Sequence, residues 1–296
     1  MKILLAACLS LCWLSASAAT PRVVALSWEA AEYLLTLGVT PLAIADRDDY
    51  LQWVSATPLP AQVLDAGSRL EPGLERLYAL KPSLIVINPA LAGMQASLQR
   101  IAPTLLLDAY REDHDNHAAA ERLQRQLASR LGRLAAHQAF VQQHQQQTRL
   151  LRSRLAARFG SAPPALCVVR FASLNSFWAY GANSQPEAAL HALGLQNACP
   201  QARSAWGARL RKLPDLLTLQ RGWLVHIAPF PQQAELARSV LWQALPAVRQ
   251  QRVIALPAAW TNGGLASQAR LEQLLATALL AQPPLRPPTA PAAGGR

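Results

Sequence analysis

Few residues in this chain have the types and spacings that catalysis requires. There is no Gly-x-Ser-x-Gly elbow, no phosphate loop ending in Gly-Lys-Ser/Thr, no Gly-x-Gly-x-x-Gly after a strand and no His-Glu-x-x-His. Triads assemble from distant positions, so this absence weighs against an enzyme without excluding one. Metal-ligand types cluster once, as Asp113, His114, Asp115 and His117. A spacing of three could bring both imidazoles to one helix face. These residues precede a helical pattern, however, where acids serve as caps and favour the helix dipole, and that is the preferred reading. His137, His144, His191 and His226 stand alone and read as structural.

The informative side chains are aromatic. Of eight tryptophans, Trp28, Trp53, Trp206 and Trp260 each fall at a strand end or in a loop. In open α/β sheets such positions face the binding crevice. Any one of them could equally be core. As a group they suit a large, partly apolar ligand held by a few fixed polar groups. Trp242, with apolar helical neighbours, reads as core. Arg69 sits in a strand-to-helix turn beside Glu71. Its guanidinium could give two parallel hydrogen bonds to a ligand anion or to polarised oxygens, although an isolated arginine in a turn is more often a solvated one.

The elements that must position these groups alternate between strand and helix. Val23–Leu26, Pro41–Ala45, Val63–Ala66, Leu84–Ile87 and Thr104–Leu107 read as strands. Helical patterns follow through Leu35, from Pro72 to Leu80 and from Met94 to Ile101. Asp46–Pro60, with turn-forming acids and prolines, reads as an irregular loop carrying Tyr50 and Trp53. After the long run Asn116–Phe159 a second set begins. Its strands are Leu166–Phe171, Phe177–Tyr180, Trp223–Ile227 and Val253–Leu256, and its helices are Glu187–Leu193, Pro214–Leu219, Leu241–Val248 and Ser267–Leu280. Gly132 divides the long run into two helices, the second about 40 Å long. The fold class is therefore α/β: two lobes with mainly parallel sheets joined by a long interdomain helix. The expected boundaries are 19–132, 133–159 and 160–281, with a Pro/Ala/Gly-rich, disordered tail at 282–296.

Residues 1–18 read as a secretory signal peptide. Lys2 is the n-region, Ile3–Leu14 the apolar stretch and Ala16-Ser17-Ala18 the cleavage site. Leu5-Ala6-Ala7-Cys8 resembles a lipoprotein box but comes too early in the apolar stretch, so an exported, unanchored chain is expected. Export leaves Cys167 and Cys199, which either pair or remain two separate buried thiols. The net charge of +11 becomes +10 without Lys2 and is mostly arginine scattered at helical spacings. That reads as a solvated helix face and argues against nucleic acid.

Several runs carry a resemblance. Val24-Ala25-Leu26-Ser27 before Glu32–Gly38, Leu80-Lys81-Pro82-Ser83-Leu84-Ile85-Val86 and Leu241-Trp242-Gln243-Ala244-Leu245-Pro246-Ala247-Val248 resemble the helical-backbone, two-lobed periplasmic substrate-binding proteins of ABC importers. The runs Asp46–Ser55, Pro58-Leu59-Pro60, Val63–Arg69, Glu71-Pro72 and Pro257–Trp260 are similar to the ferric hydroxamate siderophore binders within that group. The resemblance implies a periplasmic, monomeric binder that holds a ferric siderophore and delivers it to an inner-membrane permease and its ATPase. It implies no protein cofactor, because the iron travels inside the chelate. Arg69 matches the arginine that bonds hydroxamate oxygens, and Trp28, Trp53, Trp206 and Trp260 match aromatic cleft positions. Leu91 stands where the family has a tyrosine beside that arginine, and Asn262 replaces a second aromatic. Glu75 and Asp215 match the acids that dock on the permease. A stiff interlobe helix implies little hinge closure, below roughly 20° of rotation. Alternatives are the same scaffold holding a catecholate chelate, cobalamin or haem, a siderophore-modifying enzyme, or an exported interaction module.

Overall fold

The computed structural model describes residues 21–54 and 57–283. The expected signal peptide with Cys8 and Cys12, Ser55, and the tail from residue 284 lie outside the described residues. In the first half, strands β1 (Val23–Ala25), β2 (Ala43–Ile44), β3 (Leu64–Asp65), β4 (Leu84–Ile87) and β5 (Thr104–Leu106) form a sheet in the order β3-β2-β1-β4-β5. Every pairing in it is parallel. Its helices are α1 (Trp28–Thr36), α2 (Arg47–Trp53), α3 (Leu74–Leu80), α4 (Gln95–Gln99) and α5 (Asn116–Arg130). A parallel sheet needs cover on both faces. Val23 and Ala25 pack toward α1, α2 and α5, while Val24 and Leu26 pack toward α3 and α4, as strand alternation requires.

The long helix α6 (Leu134–Phe159) follows a break at Gly132 and leads to the second sheet. Its strands are β6 (Leu166–Ser173), β7 (Ser176–Tyr180), β8 (Ala208–Lys212), β9 (Trp223–Ile227) and β10 (Val253–Leu256), in the order β10-β9-β6-β7-β8. β10, β9 and β6 run parallel, whereas β7 is antiparallel to both β6 and β8. Helices α7 (Gln185–Ala192), α8 (Gln233–Arg238), α9 (Val240–Ala244), α10 (Pro246–Arg249) and α11 (Leu265–Leu280) complete this half. Among the described residues no helix is long and apolar enough to cross a membrane.

Three expectations are corrected and one strand is added. The loop expected at Asp46–Pro60 contains α2: Asp48 and Asp49 favour its N-terminal dipole, and the buried Tyr50 pins it to the core. The helix expected at Leu241–Val248 is two short ones, because Pro246 supplies no N–H to continue the first. The helix expected from Pro214 is a 3₁₀ turn over Leu213–Thr218. β8 was not expected at all, since its mostly exposed side chains leave no apolar alternation to read. Cys167 and Cys199, left open by the sequence, form a disulfide with Cα atoms 5.1 Å apart.

The halves are locked together by one buried carboxylate. Glu32 on α1 accepts hydrogen bonds from Gly264 N (2.7 Å), Ser267 N (2.9 Å) and Ser267 Oγ, and so caps the N-terminus of α11 from the other sheet's side. This approach requires Gly263 and Gly264. A Cβ at Gly263 would lie 2.7 Å from Glu32 Oε2, and one at Gly264 would collide with the Tyr33 ring. Burial pushes the Glu32 carboxyl up from its ordinary value, and the three donors oppose that. Glu272 on α11 makes a second lock, accepting from Thr148 Oγ1 and lying 3.1 Å from His144 Nε2 on α6. Glu32→Ala strands three donors at once and is expected to cost on the order of 3 kcal/mol. Glu32→Gln can accept the same backbone N–H groups and donate to Ser267, so it should cost less than half as much. Urea unfolding of the two variants checks both values.

Candidate binding cleft

The crevice lies where the C-terminal ends of the strands from both sheets meet. On the first side the β3–α3 turn carries Arg69. Gly67 adopts φ +93°, and its backbone bridges to Pro72, closing the turn so that Arg69 projects from its rim. Asp46, in the left-handed region at φ +46°, makes no cap for α2. Instead its carboxylate takes the Arg69 Nε–H at 2.8 Å. The guanidinium lies flat over Trp28, 3.6 Å from the ring centroid. Its two terminal nitrogens have no hydrogen-bond partner among the described residues. Arg69 is therefore held by its stem side and offers its fork.

On the second side Trp260, just past β10, meets Trp28 edge to face at 4.8 Å. Trp206 is 55% exposed and stacks on Tyr110 at 5.7 Å. The Tyr110 hydroxyl donates to Gly263 O, and burial pushes that phenol well up, so it remains a donor. Asn262 donates to the Trp206 carbonyl at 3.1 Å and fixes the Trp206 turn against the β10–α11 segment. Together Arg69, Arg170, Trp178, Tyr180, Trp206, Ala208, Trp260, Thr261 and Asn262 line a cleft of about 430 Å³. The walls are flat and apolar, the charged groups are two guanidiniums, and no carboxylate lines it.

Of the residues singled out from sequence, Arg69, Trp206, Trp260 and Asn262 reach this cleft. Three do not. Trp28 is 3% exposed, beneath Arg69 and Trp260, with its indole N–H bonded to Ala45 O, so it supports the wall rather than forming it. Trp53 ends α2 and faces the Arg170 guanidinium at 5.2 Å. Leu91 is 0% exposed, packed among Ile85, Ile87 and Leu98 in the first sheet's core. The 3₁₀ turn Pro89–Met94 directs it inward, so it corresponds to a ligand contact in sequence position only. Glu75 and Asp215 are not among the residues that line the cleft; each stands in the first turn after a proline, Glu75 exposed and Asp215 half-buried. Asp215 already pairs with Arg211 at 2.9 Å.

Arg170, Trp178 and Tyr180 were missed. The signal was present: Arg170 pairs with Trp178 across β6 and β7, and residues 178 and 180 alternate with the core residues Phe177 and Ala179. The alternative cluster around His114 and His117 shows the capping arrangement. Asp115 accepts from Ala118 N at the start of α5, and His114 Nε2 lies 2.9 Å from Ala109 O. Among the described residues no three His, Cys, Asp or Glu are placed to hold a metal ion.

Because Leu91 is core, restoring an aromatic there should not restore a ligand contact. Leu91→Tyr is expected to destabilise the chain by about 1–3 kcal/mol through overpacking and to leave chelate affinity no higher. A thermal melt beside a binding titration checks this.

The relatives agree with the geometry. A profile of periplasmic binding proteins matches residues 23–259. The iron(3+)-hydroxamate-binding protein FhuD of Escherichia coli is 30% identical over 263 residues, covering 87% of this chain and 86% of that protein. The Fe(3+) dicitrate-binding periplasmic protein FecB of the same organism is 30% identical over 241 residues, covering 78% and 75%. The crystal structure of Fe3+-Desferal-bound FhuD from Vibrio cholerae superposes with a TM-score of 0.87 at 33% identity, covering 88% of this chain and 98% of that one. Two sheets joined by one long helix, a cleft at their strand ends and these likenesses place the chain in the periplasmic binding protein family.

Proposed function

We propose that this protein captures a ferric hydroxamate siderophore in the cleft and hands it, in the periplasm, to an inner-membrane ABC permease. The observation that carries the reading is the Arg69 fork, anchored by Asp46 and left open toward an aromatic-walled cleft that offers no metal ligands of its own. A metal that arrives already wrapped by its chelator needs such a site: flat walls for the apolar rim and a cation for the polarised hydroxamate oxygens. The FhuD relatives support the ligand class, since one is an iron(3+)-hydroxamate-binding protein and the other holds Fe3+-Desferal. On this reading the protein is a non-enzymatic, monomeric carrier without a cofactor. Glu75 and Asp215 are its contacts to permease arginines.

Ferrichrome should quench the tryptophan fluorescence saturably, because Trp178, Trp206 and Trp260 line the cleft. Arg69→Ala should weaken that binding by on the order of tenfold to a hundredfold. Saturation by a catecholate chelate, haem or cobalamin instead, with none by ferrichrome, would keep the scaffold and reject the ligand. For the docking role, Glu75→Arg with Asp215→Arg should abolish chelate-dependent growth while the purified variant still quenches with ferrichrome. Glu75 should matter more, since Asp215 shares its charge with Arg211.

A further inference from the structure

The cleft holds a second cation with no counter-ion. Arg170 ends the inward face of β6 and is 8% exposed. Of the five N–H groups a guanidinium carries, one on each terminal nitrogen reaches a carbonyl, Ala228 O after β9 and Ala259 O after β10. Its Nε is buried without a partner. Among the described residues no carboxylate forms an ion pair with it, whereas Arg69 is matched by Asp46. A neutral amide could hold two carbonyls. A buried guanidinium paired only with dipoles is a costly choice unless an anion completes it.

We propose that Arg170 is a specificity-determining cation that makes this cleft prefer ferric hydroxamates carrying free carboxylates, and hence net negative charge, over neutral or cationic ones. The inference rests on the siderophore-binding reading and sharpens it to a ligand class. Arg69 and Arg170 project from opposite sides of the crevice, and the lining has no acid to offset them. Asp46 is paired with Arg69, whereas no acid among the residues that line the cleft faces Arg170. A chelate with a pendant carboxylate can bond the unspent N–H groups of Arg170 while its hydroxamate oxygens meet Arg69. The Trp53 ring lies 5.2 Å from the guanidinium and adds a cation–π contact to it.

The test is a charge series of ferric hydroxamates: cationic ferrioxamine B and neutral ferrichrome, both trihydroxamates, and ferric aerobactin, a citrate dihydroxamate with free carboxylates, with the Arg170 variants separating charge from the difference in iron coordination. Titrated into the intact mature protein, ferric aerobactin should bind on the order of tenfold tighter than ferrioxamine B at low salt, and that ratio should shrink as sodium chloride is raised. Arg170→Gln should collapse the ratio toward one, and Arg170→Lys should keep part of it. Equal affinities across the series, or a salt response that is the same for all three, overturns the inference even if neither variant folds. So does an Arg170→Gln variant that loses all three chelates by the same factor, which makes Arg170 a strut for the two carbonyls. Either result leaves hydroxamate binding intact as a reading. Failure of all three to bind the wild-type protein rejects that reading and this inference together.

Discussion

One carboxylate at the seam governs the geometry of this molecule. Glu32 belongs to the first sheet's leading helix, yet its oxygens serve the first turn of α11, the last helix of the chain. The free N–H groups and positive end of a helix dipole are turned toward a buried carboxyl group that accepts from them. Gly263 and Gly264 exist there because any larger residue would hold the two halves apart. The same two residues supply carbonyls to Tyr110 and Gln185. The Trp28–Trp260 and Tyr110–Trp206 contacts cross from one half to the other beside this junction.

The cleft itself is built in two depths. The lower layer is shielded from solvent: Trp28, with its indole tied to Ala45 O, supports Arg69 and Trp260. The upper layer is accessible, with Trp178 40% exposed and Trp206 more so. Such an order separates the task of fixing the cation from the task of contacting the guest. Asp46 contributes through an uncommon backbone conformation for a side chain other than glycine, and its carboxylate is diverted from capping α2 to orienting Arg69. Local helix stability is given up there in favour of a directed guanidinium.

Most of the architecture was readable in the chain, because parallel strands buried on both faces announce themselves as short apolar runs separated by helical periods. Gly132 marked the joint before α6. The failures have physical causes. β8 is an exposed antiparallel edge whose stability comes from pairing with β7, so its sequence ARLRK carries no burial pattern. Arg170 was hidden because a charged residue inside an apolar strand run reads as an exception, and only the pairing with Trp178 shows that it faces a cleft. Leu91 was misassigned because position along a sequence does not fix the rotation of a 3₁₀ turn, which sends that side chain into the core. Trp28 fell at a suitable strand end, but its depth below the surface is a property of packing that spacing does not encode.

The Cys167–Cys199 disulfide has a consequence for where the protein can mature. It ties the middle strand of the second sheet to the segment that leads, through Gln201 and its bridge to Gly181, into the turn bearing Trp206. In a thiol-reducing cytosol that cross-link does not persist. A chain retained there would have both sheets but would lack the covalent anchor upstream of one cleft wall. On the proposed periplasmic reading, translocation completes the protein as well as locating it, and material made without oxidation is expected to carry a looser Trp206 turn than disulfide-bonded material.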